Sequence, residues 1–449
     1  MNRRNLAQKI PIHCQPFRRP TNFTGSLPTF QPLALTASSL LSTLTQLMSN
    51  TKAYERPILS ELRAFCMQHP SVVQALIGPR QVGKTTLAKQ LIDKLPFLSV
   101  YASADAPIPP GPEWIETQWS LAASRSTSEQ QPVLLVLDEI QKVSGWSEVI
   151  KRLWDANMPR RADIRLLILG SSSLLLQSGL SESMSGRFFL HRCPHWSYSE
   201  CRTAFDWSLD QWLYFGGYPG SAEFAGHQDH WKRYVTDSLI ETVLARDVLQ
   251  LQVVRKPALL RHLFLLSAAY PAQILSFNKM LGQLQDAGNT TTLSHYLELL
   301  ESAFLVSGLP VFAKGQIRKR AGSPKLILWN NALISALSTE TFAGLRGNSS
   351  MWGRLVENAV GAYLLNALSP TAFSISHWRH AGHEVDFVVQ RGNTIWAIEV
   401  KSGTANKASG LHHFRQRYPE SRCLVIGGNG IPLDTFFETP PTTLLDTTS

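Results

Sequence analysis

Residues 78–86 read GPRQVGKTT and match G-x-x-x-x-G-K-[ST] in full, directly after the apolar run SVVQALIG. These residue types suit a polyphosphate. Gly78 and Gly83 permit a loop tight enough to turn its N–H groups inward. The binding loop is then Gly78, Pro79, Arg80, Gln81, Val82 and Gly83, with Thr86 just beyond it. A helix opening at Thr85 adds a favourable dipole. Lys84 has the reach to pair with the β- and γ-phosphates of ATP, and the Thr85 hydroxyl suits Mg2+. LLVLDE, residues 134–139, ends a buried strand on Asp138, where ligands bind at the carboxyl edge of open α/β sheets. Asp138 is expected to hold Mg2+ through water, and Glu139 to orient or activate the attacking water. An ordinary helix N-cap is the plainer reading of this pair. Phosphoryl transfer also calls for a cation at the developing charge. Arg187 in SGR and Arg246 in LARD are the candidates, within the chain or across subunits. Each also reads as a common helix ion pair.

A second set of charged residues lies in HEVDFVVQRGNTIWAIEVKSG, residues 383–403. Gly392-Asn393 is a favoured two-residue hairpin turn. It pairs Arg391 with Thr394 and sets Asp386 directly opposite Glu399, with Lys401 on the same face. Facing carboxylates repel, and a divalent cation is the natural compensation, Mg2+ or Mn2+ for hard oxygen ligands. Metal-bound water beside a lysine is a way to attack a phosphodiester. The opposite face is apolar: Val385, Phe387, Val389, Trp396, Ile398 and Val400. Asp386 followed by Glu399-Val400-Lys401 resembles the PD-(D/E)XK nuclease superfamily. The resemblance implies a further carboxylate from the first helix of the fold, which falls on Glu357 in GRLVENAV. It makes Glu357, Asp386 and Glu399 the metal ligands and Lys401 catalytic. The proline of the motif name is missing, since His383-Glu384-Val385 precede Asp386. A charged rim with Lys401 as simple counter-ion remains the alternative.

These residues need elements to position them. Up to about residue 205, short apolar strands (71–78, 98–105, 132–140 and 164–176 with its following turn) alternate with helical segments, which implies βαβ units and a parallel sheet. Helical patterns then take over: WKRYVTDSLIETVLARDVLQL, PALLRHLFLLSAA, and a pair over 276–300 with Gly288 in its turn. Two strands joined by the basic loop KGQIRKR follow, and together these suggest a winged helix. From about 346 a helix, a strand near 373–379, the hairpin, a helix near His412 and the strand RCLVIGG complete the chain. The domains read as 51–225, 226–345 and 346–435, flanked by a disordered basic tail over 1–50 and a disordered end over 436–449.

The formal net charge is +10, and residues 1–50 supply five of it through Arg3, Arg4, Lys9, Arg18 and Arg19 with no Asp or Glu. That tail overlaps in composition with transit peptides but reads more simply as a disordered extension, or as an over-long start ahead of Met48. The mildly basic body is compatible with nucleic acid and does not establish it. Five cysteines without a CxxC point to a reducing, cytoplasmic setting. HRCPHWSYSEC, residues 191–201, fits no zinc spacing and reads as structural. No run of 18 apolar residues is present, so no membrane helix is expected.

The order of motifs, GPRQVGKTT, LDEIQKV, LGSSSLLL, GGYPG, ETVLARDV and GRLVENAV…EVDFVV…IEVKSG, resembles a family of bacterial and archaeal P-loop ATPases related to the AAA+ group. The resemblance covers residues 54–430. It implies an α/β fold with a P-loop NTPase parallel sheet, a helical winged-helix module and a C-terminal α/β restriction-endonuclease-like domain. In such ATPases a polar residue after the LGSSS strand senses the γ-phosphate, here Ser171 or Ser172; a helix N-cap serine is the alternative. One departure is LILWNN, where an Asp is expected at Asn330 or Asn331. The expected activity is Mg2+-dependent ATP hydrolysis coupled to a module acting on DNA or RNA. The alternatives are a nucleotide-dependent switch binding a protein partner through an inactive nuclease fold, and a metal-dependent nuclease using ATP only to fold or assemble. The oligomeric state is left open.

Overall fold

The computed structural model describes residues 54–447 apart from 158–161, 172–179, 181–182, 249–253, 285–287, 315–321 and 404–408. The expected tail over 1–50 lies outside the described residues, as does most of the basic loop KGQIRKR.

The fold is mixed α/β. Helix α1 (Ile58–Gln68) leads into β1 (Val73–Ile77), and the loop 78–83 connects β1 to α2 (Lys84–Lys94). Then come β2 (Leu98–Ser103), α3 (Glu113–Glu129), β3 (Val133–Asp138), α4 (Trp146–Ala156), β4 (Ile164–Gly170) and β5 (Phe188–Arg192). The five strands form a parallel sheet in the order β2-β3-β4-β1-β5. Every residue of β1 and β3 is buried, as expected of strands covered on both faces. Alternate residues feed two cores. Ile77, Leu135 and Leu137 pack with Trp119 and Trp154 of α3 and α4. Leu76, Leu134 and Val136 pack with Leu87 and Leu91 of α2. The sequence reading had not foreseen α3, α4 or β5.

Helices α5 (Tyr198–Phe205) and α6 (Leu209–Phe215) each begin at a serine capping box. A helical stretch continues from Gln228–Arg233 through π-helical turns at Tyr234–Ile240 and Val243–Val248. Helices α7 (Pro257–Ala269), α8 (Phe277–Gln283) and α9 (Thr290–Ser302) precede an antiparallel pair, β6 (Val306–Leu309) and β7 (Lys325–Leu328).

The C-terminal module opens with α10 (Ser349–Ala367), followed by β8 (Ser374–His380), β9 (His383–Arg391) and β10 (Thr394–Lys401), then α11 (Ser409–Arg417) and β11 (Arg422–Gly427). Its sheet order is β11-β10-β9-β8, with β11 parallel to β10 and the other pairs antiparallel. Thr394 pairs with Arg391 and Ile398 with Phe387, the register the Gly392-Asn393 turn predicts. Both faces of the hairpin are covered. Phe387, Val389, Trp396 and Ile398 join the large core with Leu355 and Val360 of α10, while Val388, Ile395 and Ala397 lie with Leu411 and Phe414 of α11.

One expectation is corrected. The end over 436–449 was expected to be disordered, yet α12 (Leu433–Glu438) and α13 (Pro441–Thr447) fold onto the module. A proline suits the first turn of α13. Leu445 is 2% exposed, and the Trp396 indole donates to the Leu445 carbonyl at 3.1 Å. Leu445 in the large core and Leu444 packed against it outweigh the polar composition around them.

Candidate functional site

The loop between β1 and α2 is shaped by two glycines for different reasons. Gly83 has φ 91°, a left-handed conformation that L side chains rarely adopt. Gly78 is needed for space: a Cβ there would lie 2.0 Å from the Cys193 carbonyl oxygen at the end of β5. The loop is braced from behind. The Val82 carbonyl accepts from Trp196 Nε1 at 3.0 Å and from Arg56 at 3.3 Å. Arg56 also donates to the Pro194 carbonyl at 3.0 Å and forms a two-pronged ion pair with Glu200. Sequence reasoning missed Arg56 because its partners lie 26 to 144 residues away.

Lys84 is buried, and its ammonium donates to the carbonyls of Gly78 at 2.8 Å and Pro79 at 2.6 Å. Burial lowers the pKa of Lys84 from its ordinary value. Asp138 ends β3 and is 3% exposed. Its Oδ2 accepts from Thr85 Oγ1 at 2.7 Å and from the Tyr101 hydroxyl at 2.9 Å, and its Oδ1 from the Glu139 N–H at 2.9 Å. Tyr101 reaches Asp138 from β2, the neighbouring strand. Burial first, then the hydrogen bond to Asp138, raises the phenol's pKa.

Glu139 has φ 52°, another left-handed position. Its Oε2 accepts from Gln141 Nε2 at 2.6 Å and from Ser171 Oγ at 3.1 Å. Ser171 follows β4, which lies between β3 and β1 in the sheet, so Asp138, Glu139, Ser171 and the loop converge on one edge. Ser172 lies outside the described residues. The roles of Gln141 and Tyr101 were not foreseen: Gln141 lies within LDEIQKV but its bond to Glu139 does not follow from the motif, and Tyr101 comes from the neighbouring strand. Thr85 and Asp138 offer hard oxygen ligands within one hydrogen bond of each other, a donor set that fits Mg2+.

The two arginines are elsewhere or not described. Arg187 precedes β5, where its carbonyl accepts from the Val73 N–H at the start of β1. That is the amino edge of the sheet, opposite the loop that follows Ile77. Its guanidinium is held by both carboxylate oxygens of Asp155, at 2.8 and 3.0 Å. The structure therefore places Arg187 away from the loop of its own chain. The backbone of Arg246 lies in the π-helical turns Val243–Val248, and its side chain lies outside the described residues.

In the C-terminal module the regular ladder ends at Ile398 and Phe387, one pair short of Asp386 and Glu399. On the other side of β9, Ser376 faces Val388 and Trp378 faces Val385, so Asp386 and Phe387 together oppose His377. Asp386 therefore sits at a β-bulge, which re-aims its side chain. Its Oδ2 accepts from the Val400 N–H at 2.8 Å, and its Oδ1 lies 3.3 Å from Lys325 Nζ. Lys325 is fully buried and pairs with Glu357 Oε1 at 2.6 Å. Glu357 Oε2 accepts from Arg354 at 3.2 Å, and Glu399 Oε1 from Lys401 at 2.7 Å. Glu357, Asp386 and Glu399 are thus near one another, but a lysine stands between the first two. Among the described residues no group of three or more His, Cys, Asp or Glu is placed to hold a metal ion, so the carboxylates do not fit the expected cation as a ligand set. Sequence reasoning missed Lys325, which lies 61 residues from Asp386.

The departure at LILWNN also has a physical account. Asn331 Nδ2 donates to the carbonyls of Leu213 and Leu355, and Asn358 Nδ2 donates to Asn331 Oδ1. Asn330 Oδ1 accepts from the N–H groups of Gly217 and Ala332, while its Nδ2 lies 3.0 Å from His195 Nδ1. Position 331 thus uses an amide's two donors, which an aspartate does not have.

Residues 71–202 match a family described as an AAA domain (AAA_14). Residues 206–345 and 352–437 match two families described as domains of unknown function, DUF8612 and DUF4143. An uncharacterized protein of Mycobacterium tuberculosis is 29% identical over 74% of this chain and 71% of its own length. One of Haemophilus influenzae is 23% identical over 79% of this chain and 89% of its own. Among solved structures, the Walker-type ATPase of Pyrococcus abyssi aligns with TM-score 0.45 and 14% identity over 63% of this chain and 95% of its own. The AAA-domain match and the loop geometry together support a nucleotide-binding P-loop ATPase in the first part of the chain. Among the described residues no helix is long and apolar enough to cross a membrane, and Cys66, Cys193, Cys201 and Cys423 are all free.

Proposed function

We propose that the chain hydrolyses ATP with Mg2+, and that its nucleotide state controls the modules that follow. The observation that carries this reading is the Thr85–Asp138 hydrogen bond of 2.7 Å, with Glu139 held beside it by Ser171 and Gln141. In this reading the N–H groups of the loop 78–86 receive the phosphates, and Lys84 leaves the Gly78 and Pro79 carbonyls for the β- and γ-phosphates. Thr85 and Asp138 would hold Mg2+, which neutralises charge on the phosphates. Glu139 orients the attacking water, and Ser171 reports the γ-phosphate to it. An arginine for the transition state comes from a second copy through Arg187, or from Arg246.

The module limits 51–225, 226–345 and 346–435 belong to the same reading. The three helices α7 to α9 and the β6–β7 pair serve as a winged helix, and the C-terminal sheet as a restriction-endonuclease-like fold, with DNA or RNA as partner. A second reading, a nucleotide-dependent switch that binds a protein through a non-cleaving module, is favoured by Lys325 standing between Glu357 and Asp386. Steady-state ATP hydrolysis with Mg2+, with and without duplex DNA and single-stranded RNA, tests both. Turnover lost on Lys84→Ala and raised by nucleic acid supports the first. Turnover indifferent to any nucleic acid moves the assignment to the switch, and no turnover at all overturns the ATPase itself.

A further inference from the structure

We infer that Lys325 is an internal counter-cation seated where a divalent metal would bridge Glu357 and Asp386, so that the C-terminal module of this chain fastens the middle module and does not cleave phosphodiesters. The inference concerns the carboxylate cluster alone and stands apart from the ATPase reading.

The seat is built around an ammonium. Lys325 Nζ lies 2.6 Å from Glu357 Oε1, 3.3 Å from Asp386 Oδ1 and 3.1 Å from the Asp386 backbone carbonyl. It also stands 4.8 Å from the centre of the Phe387 ring, whose face attracts a cation. Lys325 itself is 0% exposed. The remaining carboxylate oxygens are taken as well: Asp386 Oδ2 by the Val400 N–H, Glu357 Oε2 by Arg354 and Glu399 Oε1 by Lys401. Of the carboxylate oxygens of Glu357, Asp386 and Glu399, Glu399 Oε2 alone is buried without a partner among the described residues. A single open oxygen beside an ammonium is a poor anchor for Mg2+, which is usually held through one or two carboxylates and completes its octahedron with water. The charges are largely paired as well: Lys325 faces Glu357 and Asp386, Arg354 faces Glu357 and Lys401 faces Glu399, while Glu384 adds a further negative charge acting on Lys325.

Lys325 is not on a free arm that could swing out to admit a metal. It pairs with Leu309 in the β6–β7 ladder and makes an isolated antiparallel bridge with Ile274. The Leu326 N–H donates to Gln273 and the Leu326 carbonyl accepts from Ala272. Asn358 of α10 clamps Leu328 in both directions, accepting from its N–H and donating to its carbonyl, each at 2.9 Å. The lysine comes from the middle module and both carboxylates from the C-terminal one. Glu357 and Asp386 are mostly covered, at 14% and 17% exposed, so a metal would have to displace the buried ammonium and break this ion pair between modules to enter.

Mn2+ titration of the full chain without nucleotide, followed by electron paramagnetic resonance, tests this. Asp138→Asn removes the contribution of the ATPase site. On that background, the expected result is that Asp386→Asn and Glu399→Gln change Mn2+ binding by less than about twofold, where loss of a true ligand costs at least ~10–100-fold. Plasmid nicking with Mg2+ or Mn2+ should be absent both with the wild-type chain and with Lys401→Ala. A stoichiometric Mn2+ site lost on Asp386→Asn, or nicking that Lys401→Ala abolishes, would overturn the inference. Lys325→Met, checked for cooperative unfolding, should lower the unfolding temperature. A Lys325→Met chain with unchanged stability would likewise sink the fastening role, whether or not it gains a Mn2+ site.

Discussion

Arg56 and Glu200 form a buried ion pair 144 residues apart in sequence, with Nε 2.7 Å from Oε1 and NH2 3.1 Å from Oε2. The side chains are 5% and 9% exposed, and NH1, outside the ion pair, reaches the Val82 carbonyl in the nucleotide loop and the Pro194 carbonyl. Removing one partner strands the other charge in the interior. Arg56→Ala should therefore cost about 3–5 kcal/mol of stability, read by urea unfolding. Arg56→Lys keeps the charge but loses the fork. It should cost less stability yet weaken ATP binding, because the loop loses its brace. A nucleotide affinity unchanged by Arg56→Lys would count against that brace.

Glu139 is held by Gln141 and Ser171 on the edge where Asp138 meets Thr85. If it orients the attacking water, Glu139→Gln should lower single-turnover hydrolysis by about 10²–10⁴-fold. ATP affinity should hardly change, since Lys84, Thr85 and the loop remain. A variant that loses binding and turnover together would mean that Glu139 shapes the site and does not act on water.

The nucleotide site was legible because its chemistry is contiguous: GPRQVGKTT carries loop, lysine and hydroxyl in one stretch, and LLVLDE carries its partner. The hairpin was legible for the same reason, since Gly392-Asn393 determines the register from Arg391–Thr394 to Phe387–Ile398. What the sequence hid is contact between distant segments. Tyr101 meets Asp138 only because β2 lies beside β3, and Arg56 meets Val82 only through the tertiary fold. Lys325 reads as an ordinary strand lysine until β7 is laid against Glu357 and Asp386. The bulge at Asp386 is also a tertiary fact, because it shows only in the pairing of β9 with β8.

Asn330 and Asn331 are neighbours with opposite tolerances. Asn331 spends both amide hydrogens on the Leu213 and Leu355 carbonyls, so Asn331→Asp places a buried carboxylate against two carbonyl oxygens. Each unsatisfied buried group costs roughly 1–3 kcal/mol, more for a charge, so a loss of at least about 3 kcal/mol is expected. Asn330 uses its oxygen for two N–H donors and its nitrogen only toward His195. An aspartate there keeps the two acceptor bonds and can take a proton from the imidazole side. Thermal unfolding of the two variants should therefore rank Asn331→Asp well below Asn330→Asp. The reverse ranking would contradict the hydrogen-bond assignment.

His195 and His377 give the chain a predictable acid limb. Burial lowers the pKa of His195 to about 3 and that of His377 to about 4. His195 faces the Asn330 amide and the Tyr218 ring, with the charges of Arg56 and Lys84 further opposing a proton. His377 lies 3.1 Å from the Ser323 carbonyl through Nε2, and Lys325 and Arg379 oppose its protonation. Both folded values lie below the ordinary 6.5, so the unfolded chain takes up protons that the folded chain refuses. Stability is full above about pH 6.5 and falls as the pH drops toward the folded values, by up to ~1.4 kcal/mol per pH unit for each ring. Urea unfolding at about pH 7 and about pH 5 should show a loss of about 2 kcal/mol per histidine. His195→Gln can still accept from Asn330 and does not titrate, so it should reduce the slope by about one proton. A slope that survives in His195→Gln and His377→Gln together would assign the acid limb to other groups, His191 among them, whose pKa burial also lowers.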